Sequence, residues 1–380
     1  MTGRQRLERA LGRAGIGLVR ESEATAGGLV LMRDDFIYDE ILISALARRP
    51  GAALVESAPL ESGPVESGPG KAVVAVHLPA GWAQTQAASV DAALASGSPV
   101  GAEFQAVDAA GLASTYNQGL RKRAAPYLIR LGSMPEIEIE RRMFNGAYKG
   151  VTDFVTKRIW PLPAFHVTRV CAAYGISPNL VTLVSLVMVL LAMWMFWIGD
   201  FGFGLVAAWS MCFLDTVDGK LARVTLNSSK FGNAFDHGID LVHPPFWYYA
   251  WYHGLQSLPE GSDTAVYLAL ILVIACYLGG RLQEGIFIWL YHIEIHTWRP
   301  VDSWFREITA RRNPNLFILS VAVAFGGPAE GFLVVALWSS LSFLFHTVRI
   351  LQAAFATATG RAPVSWLSEP ISTMPIADAP

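Results

Sequence analysis

Four aspartates fall within one 26-residue stretch, DTVDGKLARVTLNSSKFGNAFDHGID (215–240). Asp215 and Asp218 are three residues apart, and Asp236 and Asp240 are four apart. On a helix these spacings put each pair on one face, and the short segment between the pairs brings two helix ends together. Four carboxylates gathered in this way raise one another's pKa unless positive charge compensates them. A hard divalent cation provides that compensation. All-oxygen donors without Cys suit Mg²⁺ or Mn²⁺, and Mg²⁺ commonly completes its shell with water and substrate phosphates. Two such ions could neutralise a diphosphate and stabilise a phosphate leaving group. Gly219, Ala222 and Gly232 are small enough for a ligand to approach the backbone closely. Arg223 carries a fork of donors matched to a phosphate. Any two of these acids taken alone would be read as helix caps or as part of an ion path.

The elements that must hold these residues are membrane helices. Hydrophobic residues make up 53% of the 380, and charged residues only 16%, against roughly 25% charged in a soluble domain. Eleven of the twelve tryptophans lie from Trp160 onward. Apolar stretches near the about 17–25 residues needed to cross a bilayer occur at 179–199, 201–218, 236–257, 264–286, 314–328 and 331–352, which predicts six spans. Connections at 199–203, 255–264 and 326–331 contain Asp200, Glu260, Asp263 and Glu330 but neither Lys nor Arg. The alternate connections hold Lys220, Arg223 and Lys230, then Arg299, Arg306, Arg311 and Arg312. By the positive-inside rule both termini and all four aspartates face the cytoplasm. Segment 151–175, with Lys157, Arg158 and Arg169 among aromatics, reads as an amphipathic helix lying in the membrane interface.

Several classes are excluded. A net charge of −2 gives no basic field for nucleic acid. Cys171, Cys212 and Cys276 are far apart and lack CxxC spacing, so neither a disulfide framework nor a zinc site is indicated. The N-terminus has no apolar core before a cleavage site, so residues 1–150 are expected to stay in the cytoplasm.

The pattern D-x2-D-G-x2-A-R-x8-G-x3-D-x3-D resembles the signature of the CDP-alcohol phosphotransferase family at every fixed position: Asp215, Asp218, Gly219, Ala222, Arg223, Gly232, Asp236 and Asp240. The preceding ISPNLVT (176–182) is similar to the start of that family's first span. The resemblance covers about residues 150–352. It implies a six-helix membrane fold, a homodimer, and divalent metal held by Asp215, Asp218, Asp236 and Asp240. Asp240 would also act as general base on an acceptor hydroxyl, which attacks the β-phosphorus of a CDP-linked donor and releases CMP. Gly219, Ala222 and Gly232 would make room for the cytidine nucleotide, and Arg223 would meet phosphate. His237 and His243 read as locally bonded helix residues, since four acids already suffice. Pro244-Pro245 is expected to kink the third span, with neighbouring groups satisfying the freed carbonyls. Arg311 and Arg312 read either as ligands for an acceptor phosphate or as topology anchors.

The expected fold is thus an α-helical membrane protein with six transmembrane helices (176–355), preceded by a small soluble α/β domain (1–130) and a linker with the interfacial helix (131–175). A cytoplasmic tail (356–380) follows. In the front, 27–33 and 72–78 have strand character and 39–49 has helical spacing. ESAPL-ESGPV-ESGPG (56–70) reads as an exposed insertion. LVLMRDDFIYDEILISAL (29–46) resembles the central strand and acidic turn of nucleotidyltransferase-like domains, as in bifunctional members that make CDP-inositol. No Gly-rich phosphate loop precedes it, so Asp34 or Asp35 is expected to belong to a degenerate domain. Two substrate schemes fit the motif: CDP-diacylglycerol with a water-soluble alcohol or phosphorylated polyol, or a CDP-polyol such as CDP-inositol with a lipid or phosphopolyol acceptor. A membrane transporter using the acids as a cation site is the alternative. It is disfavoured because all four acids sit at one membrane face and no inverted repeat of the cluster follows.

Overall fold

The computed structural model of the chain describes residues 3–18, 28–56, 72–82, 84–101, 103–259 and 263–368. It divides into two compact units. The first comprises residues 1–117, 123–148 and 224–226, and the second 118–122, 149–223 and 227–380.

The first unit is α/β. Short, mostly apolar runs form β1 (Leu29–Met32), β2 (Phe36–Tyr38), β3 (Ala52–Val55), β4 (Val73–Leu78) and β5 (Gln105–Val107). Four of them form a sheet of order β1-β4-β3-β5, in which β4 is antiparallel to both neighbours and β3 runs parallel to β5. The third strand and β4 are buried along their whole length. Strand β2 pairs instead with Leu128–Arg130. Around these lie α1 (Gly3–Arg13), α2 (Glu40–Ala47), α3 (Gln84–Ser96), α4 (Ala109–Leu112) and α5 (Glu136–Gly146). Asp39 starts α2 by accepting from the Ile41 amide. The strands and helix expected at 27–33, 72–78 and 39–49 are present. The expected insertion lies largely at 57–71, outside the described residues.

The acidic turn of this unit is not arranged for a cation. Arg33 donates twice to Asp35, at 2.8 and 2.7 Å, and Arg130 lies 3.5 Å from the same carboxylate. The Arg33 hydrogen bonds hold the Asp35 carboxyl below its ordinary range, against the opposing effect of burial. Asp35 is therefore spoken for by guanidinium.

The second unit is helical: α6 (Pro161–Ala173), α7 (Pro178–Trp197), α8 (Phe201–Val224), α9 (Lys230–Leu255), α10 (Thr264–Tyr291), α11 (Pro300–Ile308), α12 (Arg312–Ala324) and α13 (Pro328–Ala358). Its core contains Phe196, Met211, Trp251 and Phe332, each almost fully buried. The N-terminus of α7 explains ISPNLVT locally. Ser177 accepts from the Leu180 amide and Pro178 occupies the first helical turn, where its missing N–H costs nothing.

Four helices, α7, α8, α10 and α13, are long and apolar enough to cross a membrane, and they make the chain an integral membrane protein. The expected six is thus met by four on length and composition together. The other two fail for different reasons. Helix α12 has 13 residues, about 20 Å at 1.5 Å per residue, against a hydrocarbon core of about 30 Å. Helix α9 has 26 residues, but its first half carries Asp236, His237, Asp240 and His243, which depress its hydropathy.

Candidate active site

The acidic motif is split between α8 and α9, joined by a short connection whose end is fixed by Ser229. Its Oγ accepts from the Gly232 amide at 2.9 Å and starts α9. One carboxylate oxygen from each of Asp215, Asp236 and Asp240 lies within 4.8 Å of the other two. Arg312, at the start of α12, forks between two of them, donating to Asp215 at 2.5 Å and also to Asp240. The Arg312 guanidinium is thus paired with the acidic cluster in this structure. Arg311 is likewise engaged, paired with Glu284 of α10.

Asp218 is held apart from the other three acids. It is 3% exposed, and the Thr182 hydroxyl of α7 donates to its Oδ2 at 2.6 Å. Its Oδ1 is buried without a partner among the described residues. An ISPNLVT residue thus anchors a motif acid across two helices. Three convergent carboxylates and one buried, unsatisfied carboxylate oxygen are a donor set suited to a hard cation.

The cluster opens into a cavity of about 1010 Å³ in no part; the space it lines is a separate one of about 420 Å³ within the second unit. Eight Lys or Arg side chains and four Asp line the smaller space, Asp153 joining the three clustered acids. Gly219 and Arg223 reach it, whereas Ala222 and Gly232 do not. A Cβ at Gly219 would touch the Arg223 guanidinium at 3.2 Å, so the glycine leaves that side chain its place. At Gly232 a Cβ would overlap the side-chain amide oxygen of Asn179. The small residue lets the N-terminus of α9 approach α7.

Several cavity residues carried no sequence signal. Asp153 is 7% exposed and accepts from Asn313 Nδ2 at 2.8 Å and from the Thr156 amide at 3.0 Å. Burial alone would raise its carboxyl, but the Arg306 guanidinium and these donors together hold it below its ordinary value. Arg306, on α11, is buried with Nε and Nη1 unpartnered among the described residues. Burial and then the nearby Arg311 push it down to about 9. Lys149 is pushed down to about 8 by burial and then by Arg121 and Arg223.

Tyr277 of α10 was also missed. Pro244 and Pro245 lack amide hydrogens, which frees the carbonyls four residues earlier, on Asp240 and Leu241. The Tyr277 hydroxyl reaches both, at 3.3 and 2.8 Å. The expectation that a neighbouring helix satisfies these carbonyls holds, and α9 remains one helix through the pair. His243 bonds locally, Nδ1 to the Ile239 carbonyl at 2.7 Å, and His237 is 82% exposed beside Asp236.

Residues 175–293 match the CDP-alcohol phosphatidyltransferase family. The match contains every motif residue from Asp215 to Asp240. Over 79 residues the chain is also 37% identical to the archaetidylinositol phosphate synthase of Pyrococcus horikoshii. That similarity takes in 20% of this chain and 42% of the relative, so less than half of the relative's length is spanned. The chain therefore carries a CDP-alcohol phosphatidyltransferase family domain, with the α/β unit lying before it.

Proposed function

We propose that the protein is a CDP-alcohol phosphotransferase of phospholipid synthesis. An acceptor hydroxyl attacks the β-phosphorus of a CDP-linked donor, the pyrophosphate bond breaks, CMP leaves, and a phosphodiester forms. Asp240 takes the proton of the attacking hydroxyl. Asp215, Asp218, Asp236 and Asp240 would hold Mg²⁺ or Mn²⁺, as two ions, which neutralise the diphosphate and stabilise the departing CMP. Gly219 gives the nucleotide close approach, Arg223 binds phosphate, and Ala222 and Gly232 shape the α8 and α9 backbone behind them. The observation that carries this reading is the convergence of Asp215, Asp236 and Asp240 in a cavity that eight Lys or Arg side chains also line.

Of the two substrate schemes, a CDP-linked lipid donor with a phosphorylated polyol acceptor is the better supported. Eight basic side chains and four Asp line the space, and although Arg281 and Arg311 pair with Glu284 and Arg121 with Glu294, Arg306 keeps Nε and Nη1 unpartnered among the described residues. This predominantly basic lining suits a donor diphosphate and an acceptor phosphate. The relative's name points to an inositol phosphate acceptor. The same reading makes α9 and α12 two further spans, six in all, within a homodimer whose active site and termini face the cytoplasm. The segment containing α6 lies in the membrane interface. The α/β unit is a nucleotidyltransferase-like domain without nucleotidyl transfer, in keeping with the pairing of Asp35 to Arg33.

A donor-by-acceptor screen, with mass detection of lipid product and CMP, tests this. Mg²⁺-dependent CMP release is expected from a CDP-lipid with inositol phosphate. The Asp240→Asn variant should lose at least about 100-fold in kcat, the low end for a lost general base. Undiminished turnover in Asp240→Asn would remove that residue's role. Absence of CMP across the whole panel would remove the reaction class.

A further inference from the structure

We propose that a second cavity, of about 1010 Å³ at the C-terminal end of α13, binds the headgroup and one acyl chain of an anionic membrane phospholipid. It shares no lining residue with the acidic site. Its walls are Trp298, Arg299 and Pro300, the last three turns of α13, and the segment Arg361–Trp366 that follows the helix. Gly360, with φ +79°, turns the chain out of α13. Trp366 Nε1 then donates to Ser303 Oγ at 2.9 Å, and Leu367 is buried, so this wall is anchored to α11.

Three properties match that ligand. The first is depth. Helix α13 has 31 residues, about 46 Å at 1.5 Å per residue. The hydrocarbon core is about 30 Å thick, so a helix of this length that crosses it extends into a headgroup region. Trp298 and Trp366 are the residue type that sits at this level.

The second is charge. Arg299, Arg349 and Arg361 line the cavity, and no acid does. Arg349 is neutralised by Asp302, through bonds of 2.6 and 2.8 Å, and stacks its guanidinium 4.3 Å from the Trp298 ring centroid. Arg299 covers the same ring at 4.7 Å. Arg299 and Arg361 are exposed and have no ion pair among the described residues. They present two exposed guanidinium groups to the cavity.

The third is an apolar track. Leu344, Val348, Leu351 and Phe355, at spacings of four, three and four, form one face of α13 and are 57, 43, 64 and 72% exposed. The last three also line the cavity. A phosphate at Arg299 and Arg361 would thus lead an acyl chain onto this exposed apolar face. Free inorganic phosphate would satisfy the arginines but not the track.

Native mass spectrometry of the full-length protein in detergent, offered phosphatidylglycerol and phosphatidylcholine with identical chains, separates these cases. Phosphatidylglycerol should be retained preferentially. Since one basic residue contributes about fivefold to binding at an anionic lipid surface, Arg299→Gln and Arg361→Gln should each lower its retention by about that factor. The double variant should fall to the phosphatidylcholine level, with CMP release unchanged because neither residue lines the acidic cavity. Leu351→Ser should weaken retention of both lipids, and millimolar inorganic phosphate should displace neither. Equal retention of the two lipids by the wild-type protein would overturn the proposal. So would an unchanged preference in the double variant, displacement by phosphate, or an oligomer whose interface covers Arg361 and excludes lipid.

Discussion

Replacing Tyr277 by Phe removes one oxygen atom at the edge of the site and leaves every acidic residue in place. Its consequence follows from the proline pair. In an uninterrupted helix the carbonyls of Asp240 and Leu241 would accept from residues 244 and 245, but both of these are proline. The Tyr277 hydroxyl supplies the missing donor, closer to Leu241 (2.8 Å) than to Asp240 (3.3 Å). It has one hydrogen for two carbonyls, so the variant loses one shared hydrogen bond. The bond to Leu241 is exposed and the bond to Asp240 only partly buried, so the loss is that of one net hydrogen bond, about 0.5–1.5 kcal/mol, equivalent to about 2- to 13-fold in an equilibrium or rate.

The loss should appear in turnover as well as in stability, because the loosened turn carries Asp240. Steady-state CMP release should show kcat falling by about two- to tenfold, with the KM of the CDP-donor changed less. The decisive arm is a double-mutant cycle with Pro245→Ala. Alanine restores an N–H able to donate to the Leu241 carbonyl, so Tyr277→Phe should cost much less in that background. An identical cost in both backgrounds, or a silent Tyr277→Phe, would refute the assignment of Tyr277 as the donor that holds this turn.

Thr182→Val should lower thermal stability in detergent by about 1.5–3 kcal/mol, the value of a hydrogen bond to a charged group, and Thr182→Ser should restore it. Gly232→Ala should destabilise by about 1–3 kcal/mol through overpacking against Asn179, and adding Asn179→Ala should relieve it. A rise in donor KM without loss of stability would favour a nucleotide contact instead. Lys149 is cationic in the folded protein only below about pH 8, so KM for the anionic substrates should rise between pH 7 and 9, and Lys149→Arg should flatten that rise. The same lowered pKa means that the unfolded state binds the extra proton between about pH 8 and 10.5. Stability from this residue should therefore increase across that window, a trend that pH-dependent thermal unfolding of wild type and Lys149→Met would reveal.

How much was legible depended on whether the relevant distance ran along the chain or across it. The spacing 215, 218, 236, 240 is a local property of two helices, and it located the cluster before any tertiary contact was known. The strands at 29–32 and 73–78 were equally local. The donors that finish the site come from elsewhere: Thr182 from α7, Tyr277 from α10, Arg306 from α11 and Arg312 from α12. Arg312 stands out in the sequence as a basic residue near the membrane, but which acids it meets depends on the packing of α12 against α8 and α9. Gly232 shows the opposite difficulty, since its small size is legible in the sequence and its neighbour across the fold, Asn179, is not. Four of the six expected spans are long and apolar enough on length and composition, because α12 has only 13 residues and the polar face of α9 lowers its hydropathy.

The distribution of charge ties these observations together. A net charge of −2 suggests a nearly neutral molecule, yet the cavity has twice as many basic as acidic side chains. Three of its acids converge where Arg312 bridges Asp215 and Asp240, while Arg306 keeps guanidinium nitrogens unpartnered among the described residues. A purely structural ion-pair network would be expected to pair its buried guanidinium atoms internally, because unsatisfied buried donors are costly. A cation-transport site would have no use for a predominantly basic lining beside its acids. Anions that bring both phosphate oxygens and a shared metal satisfy the two halves at once: the acids through the metal, and the arginines directly. That joint requirement favours a diphosphate donor meeting an acidic acceptor more strongly than either charge cluster does alone.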